Sequence, residues 1–217
     1  NGSVSILRSL AGVSADEATN SGGASPCALL AVSGSTLYGT TTAGGAAANG
    51  TVFSLSTNGS TFSDLHDFSS LDSNTGTNTD GALPLGGLVL SVNILYGTAS
   101  AGGAGGAGVV FSVNTNGGNF ATLYNFTPLD PLTATNPDGA FPYSGLTLTN
   151  GTLYGTTIVG GSGGKGVIFS IGTNGLGFAV LHYFSSTDPQ TGTNLDGASP
   201  VAGLALSGSN LLGTASA

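Results

Sequence analysis

A four-residue motif, Leu-Tyr-Gly-Thr, recurs at a constant interval and constrains the fold of this chain more than any other feature. It stands at Leu37–Thr40, Leu95–Thr98 and Leu153–Thr156, and in altered form at Leu211–Thr214. Successive copies are 58 residues apart, with no insertion or deletion between them. A fixed period of this kind indicates a repeat architecture, in which each unit packs on its neighbours.

The composition favours strands joined by tight turns. Of the 217 residues, 39% are hydrophobic, only 6% are charged and 39 are Gly. The apolar set is dominated by aliphatic and aromatic residues with high strand propensity, and few strong helix formers are present. A chain of this length can bury a sizeable hydrophobic core without disulfides or a metal to stabilise it. The single cysteine, Cys27, excludes an internal disulfide, and we expect it to pack as a small residue in the first strand of its repeat.

The charge balance excludes one class of partner. Two basic residues stand against ten acidic ones, giving a formal net charge of −8. Nucleic-acid binding needs clustered Lys and Arg to displace counterions, so we expect none here. No apolar run approaches the ~20 residues of a membrane span, so we expect no membrane insertion. A surface poor in charge and rich in hydroxyl and amide groups suits an extracellular protein.

Each complete repeat contains four predicted strands. In the second repeat they are Gly87–Val92, the strand that carries the Leu-Tyr-Gly-Thr motif, Gly108–Val113, and a last strand that ends at Phe126. A Gly-Gly turn precedes the third strand, and an Asn-Gly hairpin turn follows it. The predicted units cover residues 24–68, 82–126, 140–184, and 198–217 completed by 3–10.

Four short antiparallel strands with two apolar faces are typical of a β-propeller blade, which is sandwiched between neighbouring blades. We therefore predict an all-β, propeller-like fold of four 58-residue, four-stranded repeats with the fourth incomplete. A β-solenoid is the alternative, although solenoid coils usually repeat at about 20 to 30 residues.

The fourth repeat lacks the columns of its third strand. Its second strand (Leu211–Ala217) and the opening strand (Ser3–Leu10) would flank an empty slot. A strand donated by another copy would close both ladders, and repeated donation would build a filament. Two alternatives remain: the strand belongs to a longer array, or the second and fourth strands pair directly.

Acidic residues recur in two columns of the repeats, with an asparagine column between them. Oxygen side chains spaced around a glycine suit calcium, which takes six to eight oxygen ligands. The predicted calcium loops contain Asp72, Asn78, Asp80, Asp130, Asn136, Asp138, Asp188, Asn194 and Asp196. The alternative is that these Asp and Asn residues cap turns and hold neighbouring repeats together.

Two other features predict no chemistry. The glycine run around Lys165 lacks the Ser or Thr of a phosphate loop, and a strand follows it instead of a helix. His66 and His182 share a column with Arg8 and Tyr124, which indicates an exposed or rim position.

Several repeat columns together resemble a known family. These are the Asp-Gly-x-x-Pro turn, Leu-Tyr-Gly-Thr-Thr, the Gly-Gly turn, Gly-Thr-Val-Phe-Ser-Leu and Thr-Asn-Gly, with the best copy at Leu37–Leu55. The combination resembles the GloVer tandem repeat of bacterial surface proteins over essentially the whole chain. The resemblance implies an exported bacterial protein, found outside the cell or at its surface, with no assigned enzymatic activity.

These observations favour a structural extracellular protein that assembles edge to edge, possesses no catalytic site and binds no cofactor other than calcium. The alternative function is a carbohydrate-binding propeller, with a surface glycan as its partner. In that case Tyr38, Tyr96 and Tyr154 would be available to stack on a sugar.

Overall fold

The computed structural model describes residues 4–10, 12 and 19–216, and the regular structure in them consists of strands alone. Nothing in the described residues forms a helix that could cross a membrane. The strands in chain order are β1 (Asn20–Ala24), β2 (Ala31–Ser33), β3 (Thr36–Thr41), β4 (Ala43–Gly45), β5 (Thr51–Ser56), β6 (Phe62–Asp67), β7 (Val89–Ser91), β8 (Ile94–Ala99), β9 (Val109–Asn114), β10 (Ala121–Asn125), β11 (Thr147–Thr149), β12 (Thr152–Thr157), β13 (Val167–Gly172), β14 (Ala179–Tyr183), β15 (Ala205–Ser207) and β16 (Asn210–Leu212).

Each complete repeat forms one four-stranded antiparallel sheet. Sheet one has the order β2-β3-β5-β6, sheet two β7-β8-β9-β10 and sheet three β11-β12-β13-β14. The fourth repeat supplies only the β15–β16 hairpin, and β1 pairs with β4 as a separate ribbon. The all-β prediction with four strands per complete repeat is confirmed. All these strand pairings join strands of one repeat, whereas a solenoid pairs strands of successive coils, so the solenoid alternative is wrong for the described residues.

The second and third strands of each sheet meet in one register. The glycine of the Leu-Tyr-Gly-Thr motif lies opposite the third-strand phenylalanine in all three sheets: Gly39 and Phe53, Gly97 and Phe111, Gly155 and Phe169. A Cβ on Gly97 would lie 2.6 Å from Cζ of Phe111, and the other two pairs give the same distance. The glycine is therefore required because the ring covers it.

Neighbouring sheets pack face to face through two apolar clusters. Between sheets one and two, Tyr38, Val52 and Phe68 pack with Leu88 and Phe111. Between sheets two and three, the equivalent columns supply Tyr96, Val110, Phe126, Leu146 and Phe169. The strands therefore bury side chains on both faces, which explains why the sequence lacks a strict alternation of polar and apolar residues.

The linker that precedes each sheet pairs in antiparallel fashion with the residues that follow that repeat's second strand. The β1–β4 ribbon is the first instance, and single antiparallel bridges repeat it at Ala82–Ala101, Ala140–Val159 and Ala198–Ser216. The residue before the linker proline has a positive φ, with values of 57°, 56°, 58° and 47° at Ser25, Leu83, Phe141 and Ser199. This recurring backbone conformation was not predicted from the sequence.

The opening segment follows the repeat register without forming a strand. Residues 4–10 belong to no sheet, so the predicted strand at Ser3–Leu10 is not formed in its described part, and Ser3 lies outside the described residues. The reason is that no third strand lies beside it to supply ladder hydrogen bonds. The backbone of Leu7 nevertheless approaches Gly59 as Leu65 approaches Gly117 in the next repeat. The segment therefore occupies the place of a fourth strand against sheet one.

Equivalent residues of all four repeats surround one cavity of about 360 Å³. Its lining includes Leu29, Gly87, Gly145 and Gly203, which occupy one repeat column at the start of each first strand. A Cβ on Gly145 would lie 2.8 Å from the carbonyl oxygen of Gly87, so adjacent repeats approach closely here. The first strands of the four repeats therefore begin around a common space.

The Gly–Phe contact generates a matched pair of substitutions. Gly97→Ala places a methyl group against the ring of Phe111 and is expected to lower the free energy of unfolding by about 1–3 kcal/mol. Gly213→Ala, in the same column of the fourth repeat, meets only the terminal Cδ2 of Leu204 among the described residues, at 2.8 Å. Its expected effect is within about 0.5 kcal/mol. Urea unfolding of both variants tests this, and equal losses would contradict the assignment.

Candidate functional site

Three linker aspartates lie between successive sheets, and each accepts hydrogen bonds from the preceding fourth strand. Asp80 accepts bonds from the backbone N–H and hydroxyl of Ser69 and from Nε2 of His66, which lies 3.0 Å from its Oδ2. We call such a set of three residues a carboxylate node. The three nodes are Asp80–Ser69–His66, Asp138–Thr127–Tyr124 and Asp196–Ser185–His182.

In the first two nodes the third member also stacks on a phenylalanine of the next repeat. The His66 ring lies 3.6 Å from that of Phe120 with an interplanar angle of 10°, and Tyr124 lies 3.8 Å from Phe178 at 5°. Among the described residues no such ring lies beside His182, and its side chain is 43% exposed, compared with 19% for His66. A node is therefore complete only where a further sheet follows.

The asparagine column ties each linker to a glycine turn. Nδ2 of Asn78 donates to the carbonyl oxygens of Ser69 and Gly81, and its Oδ1 accepts from the N–H groups of Gly81 and Gly103. Asn136 makes the equivalent four bonds, and Asn194 makes three of them. These amides thus satisfy backbone groups where the chain passes from one sheet to the next.

The first acidic column caps its own loops. Oδ1 of Asp72 accepts from the N–H groups of Asn74 and Thr75 at 3.0 and 2.8 Å. Asp130 and Asp188 accept from the N–H groups two and three residues ahead in the same way. Hydrogen bonds to the ionised form lower the pKa of all three carboxyl groups, the bond to the N–H three residues ahead being the largest cause.

The residues predicted to bind calcium therefore form hydrogen bonds with different parts of the structure. Asp72 bonds to its own loop, Asn78 to the glycine turn and Asp80 to the preceding strand, and the same division holds in the next two loops. The described residues contain no group of three or more His, Cys, Asp or Glu side chains that could hold a metal ion. The calcium loops stay a prediction, and the hydrogen bonds observed are those of the turn-capping alternative.

Opposing influences set the acidity of the nodes. Burial raises the pKa of Asp80, but the hydrogen bonds from His66 and Ser69 together outweigh it, so the pKa lies below its ordinary value. The Ser185 hydroxyl is the largest cause of the lowered pKa of Asp196. Burial and the bond to Asp138 raise the pKa of the Tyr124 hydroxyl above its usual range, so it remains a donor at neutral pH.

The first and third nodes contain Ser, His and Asp but do not have the arrangement of a hydrolase triad. In a triad the histidine lies between the serine and the aspartate, so that it can take the serine proton. Here Asp80 lies between Ser69 and His66 and accepts from both. The carboxylate holds the hydroxyl as a donor rather than activating it. The geometry is that of a structural hydrogen-bond centre.

The first repeat replaces the node with another charged group. Its linker column holds Gly22 in place of an aspartate, and Arg8 stands in the His66 column. The Arg8 guanidinium carbon lies 4.4 Å from the centre of the Phe62 ring. Burial, followed by the nearby charge of Asp67, raises the pKa of Asp64, while Arg8 and the Gly22 N–H oppose the shift. The stacking is therefore kept although the linker carboxylate is absent.

The tyrosines predicted to stack on a sugar do not form an exposed platform. Tyr38 and Tyr96 are buried between sheets, and Tyr154 is half-buried, so that part of the prediction is wrong for the first two. Cys27 is exposed and lies outside the strands, contrary to the expected packing. Lys165 lies in a turn, where its carbonyl oxygen accepts from the N–H of Ser199.

The repeat position that supplies the hydroxyl group of each node was not predicted from the sequence. Ser69, Thr127 and Ser185 each follow the fourth-strand phenylalanine by one residue and use both the backbone N–H and the hydroxyl. The signal was present, because a hydroxyl residue recurs at this column in three repeats. It is hidden by the abundance of Ser and Thr elsewhere in the chain.

Comparisons with known proteins give one family and a remote structural likeness. The family described as the Gloeobacter/Verrucomicrobia repeat matches residues 2–217. No curated protein matches. Among solved structures, a chain of "Crystal structure of Nidogen/Laminin Complex" is similar at 13% identity and a TM-score of 0.45. The likeness covers 78% of this chain and 48% of that one, so this chain spans about half its length.

The nodes predict a position-dependent loss of stability. Asp138 is buried and accepts three hydrogen bonds, so Asp138→Asn is expected to lower the free energy of unfolding by about 2–4 kcal/mol. Asp196→Asn removes the same kind of carboxylate at the partly exposed last node and should cost clearly less. Urea unfolding of both variants measures the difference. Equal losses would mean that burial between sheets does not set the strength of a node.

The lowered carboxyl pKa values predict acid sensitivity. A carboxyl group whose pKa is lower in the folded state stabilises the fold above its ordinary pKa, here 3.8, and loses that contribution as the pH falls through the lowered value. Asp72, Asp80, Asp130, Asp188 and Asp196 act in this direction, whereas Asp64 opposes them. The free energy of unfolding should therefore fall as the pH drops below about 4. Urea titrations from pH 7 to pH 2.5 test this, and a rise on acidification would contradict it.

Proposed function

This chain belongs to the Gloeobacter/Verrucomicrobia repeat family, and we propose that it is a structural repeat protein whose propeller-like stack of sheets assembles edge to edge. The observation that carries the proposal is that the two end faces are apolar. They present the same repeat positions that are buried at the interfaces between sheets. The proposal includes an exported, extracellular setting, supported by the low charge content of 6%.

A radial arrangement is supported by the cavity that the four repeats share. In a propeller, the first strand of each blade lines a central channel, and equivalent residues of successive blades meet there. Leu29, Gly87, Gly145 and Gly203 have this relation. Contacts between sheets come from consecutive repeats, as expected for blades around an axis.

The two ends of the stack expose side chains that are buried elsewhere. Leu30 is 45% exposed on sheet one, whereas its equivalents Leu88 and Leu146 are 8% exposed. At the other end Leu212 is 55% exposed, although the equivalents Tyr38 and Tyr96 are buried. The exposure of columns that are buried at the internal interfaces favours an interaction surface at each end.

A second copy of the chain fits the end faces because the internal interfaces already define the contact. Inside the chain, the Tyr38 column packs in the same cluster as the Leu88 column of the following sheet. Leu212 of one copy would therefore pack on Leu30 of the next. Beneath the opening segment, Leu30, Phe53 and Leu55 line a cavity of about 620 Å³ that would receive apolar side chains of the β15–β16 hairpin. Such a contact is head-to-tail and builds a filament where it does not close into a ring.

The glycan-binding alternative has weaker support. Sugar sites combine an exposed aromatic face with convergent hydrogen-bonding groups. The cavity shared by the repeats is lined mainly by glycine and leucine, with Tyr143 as its aromatic side chain. The nodes are likewise engaged in hydrogen bonds within the protein. We therefore propose a structural rather than a catalytic or sugar-binding role.

Head-to-tail assembly predicts complementation between two variants. Leu30→Glu blocks one end face and Leu212→Glu the other, so each variant alone should remain monomeric, while the wild-type mass increases with concentration. An equimolar mixture of the two variants keeps one intact interface per pair and should form dimers that cannot extend. Size-exclusion chromatography with light scattering measures all four samples.

Leu132→Glu provides the control, because this loop side chain is 94% exposed and far in sequence from both ends. It should associate like the wild type. A wild-type chain that stays monomeric at the highest concentration, or a mixture that fails to pair, would reject head-to-tail assembly.

A further inference from the structure

The dipeptide Asn-Gly can react with itself, because the backbone nitrogen of the glycine can attack the side-chain carbonyl carbon of the asparagine. Glycine favours the attack because it carries no side chain that would hinder the approach. The described residues contain five copies: Asn49–Gly50, Asn58–Gly59, Asn116–Gly117, Asn150–Gly151 and Asn174–Gly175. A further copy, Asn1–Gly2, lies outside them. Hydrogen bonds to the two reacting groups decide which copies can react in the folded protein.

Four of the five copies have both reacting groups held by hydrogen bonds. Their glycine N–H groups donate to backbone carbonyl oxygens: Gly50 to Gly44, Gly59 to Ser56, Gly117 to Asn114 and Gly175 to Gly172. The side-chain oxygens of Asn58, Asn116 and Asn174 accept from the N–H two residues ahead, each at 3.0 Å. Nδ2 of Asn49 donates to the carbonyl oxygen of Ser69. Attack in any of these copies must first break both bonds.

The fifth copy, Asn150–Gly151, forms the two-residue turn between β11 and β12. In the part of the chain that the structure describes, no group accepts from the Gly151 N–H and none bonds to the Asn150 side chain. Both residues are exposed. A Cβ on Gly151 would have the Thr173 hydroxyl oxygen, at 4.0 Å, as its nearest neighbour. The two reacting groups of this copy are therefore free to approach each other and open to water.

We propose that Asn150 is a site of spontaneous, site-selective deamidation in the folded protein. The Gly151 nitrogen loses its proton to solvent and forms a bond to Cγ of Asn150. The Cγ–Nδ2 bond then breaks, the leaving nitrogen takes up protons from water, and ammonia is released. The product is a cyclic succinimide. A water molecule opens this ring at either carbonyl carbon and leaves aspartate or isoaspartate at position 150.

The modification changes both the charge and the geometry of the turn. It replaces a neutral amide with a carboxylate, so the formal net charge becomes more negative than −8. In the isoaspartate product the chain runs through the former side chain, which adds a methylene group to a two-residue turn. The Gly151 carbonyl oxygen accepts from the N–H of Thr173 at 2.9 Å, and Thr149 pairs with Thr152. We expect both contacts to weaken in the isoaspartate form.

The experiment compares the copies within one sample of the full wild-type chain. The protein is incubated at mildly alkaline pH and digested with an acid protease, and mass spectrometry follows the deamidated fraction at each asparagine. Position 150 should react at least about fivefold faster than Asn58, Asn116 and Asn174, because those copies must break two hydrogen bonds. Electron-transfer fragmentation of the same peptides distinguishes isoaspartate from aspartate, and both should be present at position 150.

Urea-unfolded protein is the matched control. Unfolding removes the hydrogen bonds but leaves every Asn-Gly sequence intact, so the advantage of position 150 should fall below about twofold. Equal native rates at the four sites, or a faster native reaction at Asn58, Asn116 or Asn174, overturns the inference. An advantage of position 150 that persists in urea overturns it as well, because it would then come from the neighbouring sequence.

Amide hydrogen exchange provides a second measurement that needs no covalent change. The Gly151 N–H should exchange at least about fivefold faster than the N–H groups of Gly117 and Gly175, since it has no hydrogen bond to open. Nuclear magnetic resonance of the native chain measures all three. Equal protection of the three groups would contradict the free N–H on which the reaction depends. Neither measurement depends on whether copies of the chain assemble.

Discussion

Every sheet in this protein is apolar on both faces, and the rest of the structure follows from the need to cover both. In β9, five of the six residues are buried, with Phe111, Val110 and Val113 fully enclosed between neighbouring sheets. A single repeat would leave two such faces in water, at a cost of about 25 cal/mol for each Å² of apolar surface. A repeat of this kind is therefore stable only inside a stack.

Close stacking creates a second problem, because the linker between two sheets carries backbone polar groups away from water. The carboxylate nodes and the asparagine column solve it by giving these groups fixed partners. The positive-φ residue before each linker proline contributes as well. The N–H of Leu83 donates to Asn49 in the preceding repeat, and its carbonyl oxygen accepts from Ser100 in its own repeat. The left-handed conformation of a leucine costs about 1–2 kcal/mol, and these two bonds, one to the preceding repeat and one within its own, offset it.

The repeat period made the sheets predictable, whereas the nodes depend on contacts that no single repeat contains. The Gly39 and Phe53 columns could be placed on the second and third strands from spacing alone, and both lie there. His66, Asp80 and Phe120 come from two different repeats. They lie together only because the two sheets stack on each other. Calcium was predicted from Asp72 and Asp80 because alternating oxygens in one loop resemble a ligand set. In the fold these two carboxylates accept hydrogen bonds from different partners, an arrangement that composition does not encode.

The variable column of the nodes identifies what an interface between repeats requires. Arg8, His66 and Tyr124 differ in charge and size, yet each places a flat polar group over a phenylalanine of the next sheet. Flatness and a hydrogen-bond donor are thus the shared property, and charge is not. Where Arg8 supplies the flat group, the linker column holds Gly22, and Asp64 on the facing strand is near enough for the Arg8 charge to lower its pKa against the effects of burial and Asp67. His182 has its donor bond to Asp196 but no stacked ring among the described residues, and its side chain is 43% exposed, compared with 19% for His66. The stacked ring, and not only the bond to the carboxylate, is therefore what buries the third member of a node.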